Sequence, residues 1–277
     1  MNLLASGLVL ATGFTSLGAS ALYLVHYRRS DPASGRVASL LAGLGWAFLG
    51  ILLLMRALEQ GYVPLGSLNQ SLFIFLWLLM GSYLVVERRY DLRVAGGLFW
   101  PSLTLVLLAA LAWVPQEASP DIARNLAVSE TSIFLHVAFN FLAYSSFALA
   151  GVAGLIYLLQ ERQIKTRRLS WLYFRLPPLA SLDRASRHLL ASGFLLLTLG
   201  LAIGMVNARL AWGSFIPEDG KILFSLALWA YYGAGLLVHR ARGLSGRRVA
   251  LLSLLGFLGA LLNLTGLTWW LTNVHRF

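Results

Sequence analysis

Apolar residues run through the chain in long blocks, and polar residues collect between them. The blocks cover approximately 3–25, 37–55, 68–86, 94–114, 132–159, 189–208, 222–238 and 250–271. Each is close to the length that crosses a hydrocarbon core of roughly 30 Å as a helix. The pattern predicts an all-α, polytopic membrane bundle of about eight transmembrane helices. No hinge divides it, so residues 1–277 read as a single transmembrane domain.

The polar gaps alternate in charge. Gaps 26–36, 87–93, 160–188 and 239–249 carry 3, 3, 7 and 4 of the 22 Lys and Arg residues. Lys and Arg concentrate on the cytoplasmic side of membrane proteins. That places these gaps inside the cell and both termini outside. The longest, 160–188, mixes its cations with Trp171, Tyr173 and Phe174. It reads as a basic cytoplasmic loop at headgroup level, or as a dock for a soluble partner. The first block lacks a basic flank before it and ends at Arg28-Arg29, so it reads as a retained helix.

Composition agrees with this topology. Hydrophobic residues make up 58% of the chain and charged ones 12%, where a soluble domain has about 25% charged. The net charge of +11 follows from the inner loops and gives no reason to expect nucleic-acid binding. There is no cysteine, which excludes disulfides, thiolate metal sites and covalent attachment of haem through cysteine.

Polar residues at the edges of the blocks are where chemistry is expected, because burying them in lipid is costly. His26, His188 and His239 sit beside arginines at inner edges and read as interfacial. His136 and His275 sit at outer edges in apolar or aromatic surroundings. Neutral imidazole is a common axial ligand of haem iron, and an aromatic, water-poor setting suits a porphyrin. The hairpin from Asn207 to Lys221 lies on the same side and carries Trp212, Phe215, Glu218, Asp219, Arg209 and Lys221. Its aromatics fit either an interfacial belt or ring contacts with a flat ligand. Arg56, Arg209, Lys221 and Arg276 are the outer cations available to pair with propionates. Asn69, Gln70 and Asn140 read as interhelical hydrogen-bonding groups. Glycines such as Gly43, Gly45, Gly50, Gly151, Gly154, Gly233 and Gly235 read as helix-packing positions.

No catalytic constellation is visible. There is no phosphate-binding glycine loop, no nucleophile elbow and no HExxH pair. The eleven acids all fall in loops or at block edges, which weighs against an ion-coupled transporter.

The segment Trp212-Gly-Ser-Phe-Ile-Pro-Glu-Asp219-Gly-Lys221, followed by Trp229-Ala-Tyr-Tyr232, resembles the Trp-rich outer loop and next helix of the CcsA-type cytochrome c assembly family. Trp212, Gly213, Ser214, Asp219, Lys221, Trp229 and Tyr232 match it. Pro64-Leu-Gly-Ser-Leu-Asn-Gln-Ser-Leu72, Leu182-Asp183, Gly193-Phe194 and Gly246-Arg-Arg-Val-Ala are similar to further stretches of that family. The resemblance implies non-covalent haem b held near the extracytoplasmic side between His136 and His275, beneath a loop containing Trp212, Phe215, Asp219 and Lys221. It implies a multi-pass protein of the bacterial plasma membrane.

The loop departs from the family pattern. Ile216 and Glu218 stand where the family has further tryptophans, and Gln70 stands where it has a glutamate. This degenerate loop is more similar to the HemX-like branch, which is linked to haem biosynthesis and to control of glutamyl-tRNA reductase abundance. The first expectation is therefore a non-enzymatic haem carrier or sensor. One alternative is a membrane regulator that recruits a soluble haem-biosynthesis enzyme such as glutamyl-tRNA reductase. Another is the haem ligase subunit of a cytochrome c synthase, working with a cytochrome assembly partner.

Overall fold

The computed structural model of the chain describes residues 3–65, 67–112, 128–168, 173–215, 220–243 and 246–265. Regular structure among them is helical. The helices are α1 Leu3–Arg29, α2 Pro32–Gln60, α3 Leu68–Tyr90, α4 Arg93–Ala112, α5 Glu130–Thr166, α6 Leu179–Trp212, α7 Gly220–Arg242 and α8 Arg247–Thr265. Seven of them, α1 to α7, are long and apolar enough to cross a membrane. The all-helical, multi-pass expectation is met.

The helices overrun the apolar blocks. α5 has 37 residues and α6 has 34, which is about 55 and 51 Å at 1.5 Å per residue. Both exceed the roughly 30 Å core. Backbone hydrogen bonding does not stop where hydropathy does, and polar side chains continue the turns. In the first turns of α6, Arg187 pairs with Asp183 one turn back at 2.8 Å. The segment 160–188 is therefore partly helix, with loop confined to a shorter stretch.

Caps set several ends. Asp31 accepts from the amides of Ala33 and Ser34 at the start of α2, and Pro32 follows it at the first helical position. Ser67 accepts from the amide of Gln70 at the start of α3. α6 stops at Gly213, whose φ of 78° belongs to the left-handed region.

The chain divides into two compact units. The first comprises Met1–Ala118 and Gln163–Pro178. In it α1 packs against α2 and α4, and α3 against α2 and α4. Its core holds Tyr23, Trp100, Met80, Leu49 and Leu107, each fully enclosed. The rings of Tyr23 and Tyr83 meet edge to face at 6.0 Å, and Tyr83 stacks on Phe99 at 5.0 Å.

The first residue of the 87–93 gap, Glu87, belongs to the core of this unit. α3 continues to Tyr90, and Glu87 is 1% exposed. Tyr23 of α1 donates to its Oε2, and Ser39 of α2 donates to its Oε1. Arg93 Nε at the start of α4 lies 3.7 Å from Oε1. All four helices meet on one carboxylate. Burial is possible because donors replace the water that a carboxylate loses.

The second unit comprises Ser119–Arg162 and Leu179–Phe277. In it α7 packs against α6 and α8, and α6 against α8. Asp183 of α6 accepts from the amide of Gly246 at 2.9 Å, capping the start of α8. Gly154 of α5 lies against the backbone of Ala250 in α8, as a packing glycine should. Gly43, in the first unit, faces open space instead.

Candidate functional site

The candidate site lies on the N-terminal half of α5 and the C-terminal half of α6. Along α5, His136, Asn140 and Tyr144 recur every fourth residue and so share one face. α6 runs antiparallel beside it. Near the start of α5 Ser132 donates to the side-chain oxygen of Asn207 at 2.6 Å. One turn inward, His136 Nδ1 lies 2.7 Å from the carbonyl oxygen of Gly200. A carbonyl has no proton to give, so Nδ1 carries the hydrogen and Nε2 the lone pair. Asn140 donates to the backbone oxygen of His136 at 2.7 Å, and its amide nitrogen lies over the ring, 3.3 Å from Nδ1 and 3.4 Å from Nε2.

The imidazole is thus half-buried and oriented by a backbone carbonyl. Histidines that ligate metals characteristically donate their other nitrogen to such a group, which fixes the tautomer and raises basicity at the ligating nitrogen. On this geometry the residues present fit an axial ligand presented through Nε2.

Below His136 the polar face continues. Asn263 of α8 donates to Tyr144 OH at 2.8 Å and to Ser225 Oγ of α7 at 2.9 Å. Asn263 is completely buried, and among the described residues its Oδ1 has no hydrogen-bonding partner. Beside this cluster Phe147 stacks on Tyr232 with centroids 3.8 Å apart. Trp229 stacks on Phe194 and donates to Thr198 Oγ1 at 2.9 Å. Trp229 and Tyr232 therefore tie α7 to its neighbours.

Trp212 ends α6, farther from His136 along the helix. Trp212 follows Gly204 by eight residues, about 12 Å along the axis. Trp212 and Phe215 are 44% and 56% exposed. Arg209 donates to the carbonyl of Gly213 and stands 5.7 Å from the centre of the Phe215 ring. Lys221 opens α7 and is partly exposed. Arg56 belongs to the first unit, where it stands 6.0 Å from the Phe73 ring centre. Asn69 and Gln70 are buried in that unit too. His275, Asp219, Glu218 and Arg276 lie outside the described residues, so the neighbourhood of the two histidines rests on His136 alone. Among the described residues, no trio of His, Asp and Glu gathers as a metal site.

Sequence reasoning singled out His136 and Asn140 and missed their seat. Gly200 and Gly204 are the residues against which they lie. The signal was present as Gly200-Leu-Ala-Ile-Gly204, a small-residue pair one turn apart. Tyr144, Ser225 and Asn263 were also missed. Asn263 was visible as an amide inside an apolar block.

Comparison with known proteins supplies the family. Residues 65–275 match the model of the cytochrome C assembly protein family. The chain is similar to a cytochrome c biogenesis protein CcsA of Guillardia theta, with 29% identity over 75% of this chain and 74% of the relative. It is similar to a protein HemX of Brevibacillus brevis, with 26% identity over 90% of this chain and 92% of the relative. A CcsA of Prochlorococcus marinus (strain MIT 9303) is 29% identical over 82% of this chain and 79% of the relative. With its apolar helices and a family match across residues 65–275, this multi-pass membrane chain belongs to the cytochrome c assembly protein family.

Proposed function

We propose that the protein binds haem b non-covalently near the extracytoplasmic face, with His136 and His275 as axial ligands, and serves as a haem carrier or sensor rather than as an enzyme. The observation that carries this reading is the hydrogen bond from His136 Nδ1 to the Gly200 carbonyl, because it presents Nε2 in the manner of an oriented metal ligand. His136 and His275 would hold the haem, whose iron would supply a redox-active, Lewis-acidic centre. Trp212 and Phe215 are exposed on the same side and available to a porphyrin edge. Arg209, Asp219 and Lys221 belong to one stretch of the sequence, whose cations would pair with propionates. Haem titration of the purified protein in detergent tests the reading. Binding that disappears in the His136→Ala, His275→Ala double variant supports it, and a protein that stays colourless with added haem contradicts it.

A second reading is favoured by the near-complete coverage of the HemX relative and by exposed cations at the inner ends of two helices. Arg162, Lys165, Arg167 and Arg168 follow the apolar part of α5, and Arg184 precedes that of α6, all exposed. In this reading the segment 160–188 recruits a soluble partner, such as a haem-biosynthesis enzyme or a cytochrome assembly subunit, at the plasma membrane of a bacterium. Neutralising those residues should abolish co-purification of the partner and leave haem binding intact.

A further inference from the structure

α6 presents glycines to α5 at three levels, and each receives one side chain. A Cβ built on Gly204 would overlap the His136 ring, reaching Nδ1 at 2.6 Å. A Cβ on Gly200 would lie 2.8 Å from Asn140 Oδ1, and one on Gly193 would lie 2.6 Å from Phe147 Cε1. The register is antiparallel. Four residues separate His136 from Asn140 and Gly204 from Gly200, and seven separate Asn140 from Phe147 and Gly200 from Gly193. Glycines one turn apart in a membrane helix ordinarily let two backbones approach. Here the space they free is filled by an imidazole and an amide.

We propose that Gly204 and Gly200 are positioning residues for His136, forming a notch that holds its ring in the Nδ1-protonated tautomer with Nε2 as the ligating nitrogen. This rests on the haem reading above and deepens it. Three features of the notch act together. The missing Cβ of Gly204 admits the ring edge. The Gly200 carbonyl takes the Nδ1 proton. Asn140, lodged against Gly200, ties down the backbone oxygen of His136 and so the turn that carries it. A methyl group at position 204 removes the first feature and, by displacing the ring, the second. Loss of a hydrogen bond that orients a ligand typically weakens metal binding by about ten- to a hundredfold.

Gly193 provides the control, because Gly193→Ala disturbs the same helix pair equally closely without touching His136. In haem titrations of the full-length protein, Gly204→Ala should bind about ten- to a hundredfold more weakly than wild type and show a changed absorption spectrum. Gly193→Ala should keep the wild-type spectrum and affinity. Equal behaviour of the two glycine variants overturns the notch as a positioning device and leaves His136 as a ligand. Failure of wild type to bind haem overturns the ligand reading itself. A measurement on the ligand-free wild type is independent of both and of whether a variant folds. NMR of isotope-labelled histidine should report His136 with its proton on Nδ1. A proton on Nε2 overturns the notch proposal.

Discussion

Asp183 and Gly246 are 63 residues apart in sequence and joined by a 2.9 Å hydrogen bond from the Gly246 amide to Asp183 Oδ1. The same carboxylate holds Arg187 through its other oxygen at 2.8 Å. One side chain thus caps α8 and takes part in the salt bridge in the first turns of α6. The two family-like stretches Leu182-Asp183 and Gly246-Arg-Arg-Val-Ala are one structural feature.

Removing that carboxylate should matter more than removing its cation. Asp183→Ala loses a helix cap, which costs about 0.5–2 kcal/mol. Arg187 is 34% exposed, and pairs of that kind contribute about 0–1 kcal/mol. Thermal unfolding in detergent should rank Asp183→Ala below Arg187→Ala, with Asp183→Asn between them because an amide oxygen still accepts from Gly246.

The Glu87 cluster should be the most sensitive polar spot in the first unit. Tyr23→Phe removes one donor and should cost about 1–3 kcal/mol. Glu87→Leu strands two hydroxyls and removes the partner of Arg93, so it should cost about 3–5 kcal/mol. The double variant should be less destabilised than the sum of the two single changes, because both act on one contact. Unfolding of the four proteins by heat or denaturant measures the coupling. Strict additivity would show that Tyr23 and Glu87 are not bonded.

Much of the fold follows from hydropathy, because an unbroken apolar run of about twenty residues satisfies its backbone in lipid as a helix. The helix ends were less legible. Hydropathy ends where charge begins, whereas α3 carries Glu87 and α5 carries Lys165 inside helices. A span assignment that stops at the first charge cannot place Glu87 in a core, and the partners that tolerate it come from α1, α2 and α4. The site was legible in the same uneven way. His136 stood out by its surroundings, since an imidazole at the edge of an apolar block needs a reason. Its seat did not, because pairing Gly204 with His136 requires the α5–α6 register, which no local pattern encodes.

Acid should act on the α1–α2 turn through Asp31. The amides of Ser34 and Ala33 hold its carboxyl below the usual carboxylate range. A lowered folded value means that the ionised cap stabilises above the unfolded value of about 3.9. The contribution is lost as pH falls through the folded one. Asp31→Asn keeps a capping oxygen that cannot titrate. Its unfolding temperature should therefore fall less than that of wild type on acidification below about pH 4. Parallel pH profiles for the two proteins would refute a titrating cap.

The ferric haem complex of wild type, set against that of the single variant His136→Ala, tests the central claim most directly. Two imidazoles on one iron give a six-coordinate, low-spin absorption spectrum, and removal of His136 should convert it to a five-coordinate, high-spin one with weaker binding. A His136→Ala protein whose spectrum and affinity match wild type would contradict the account.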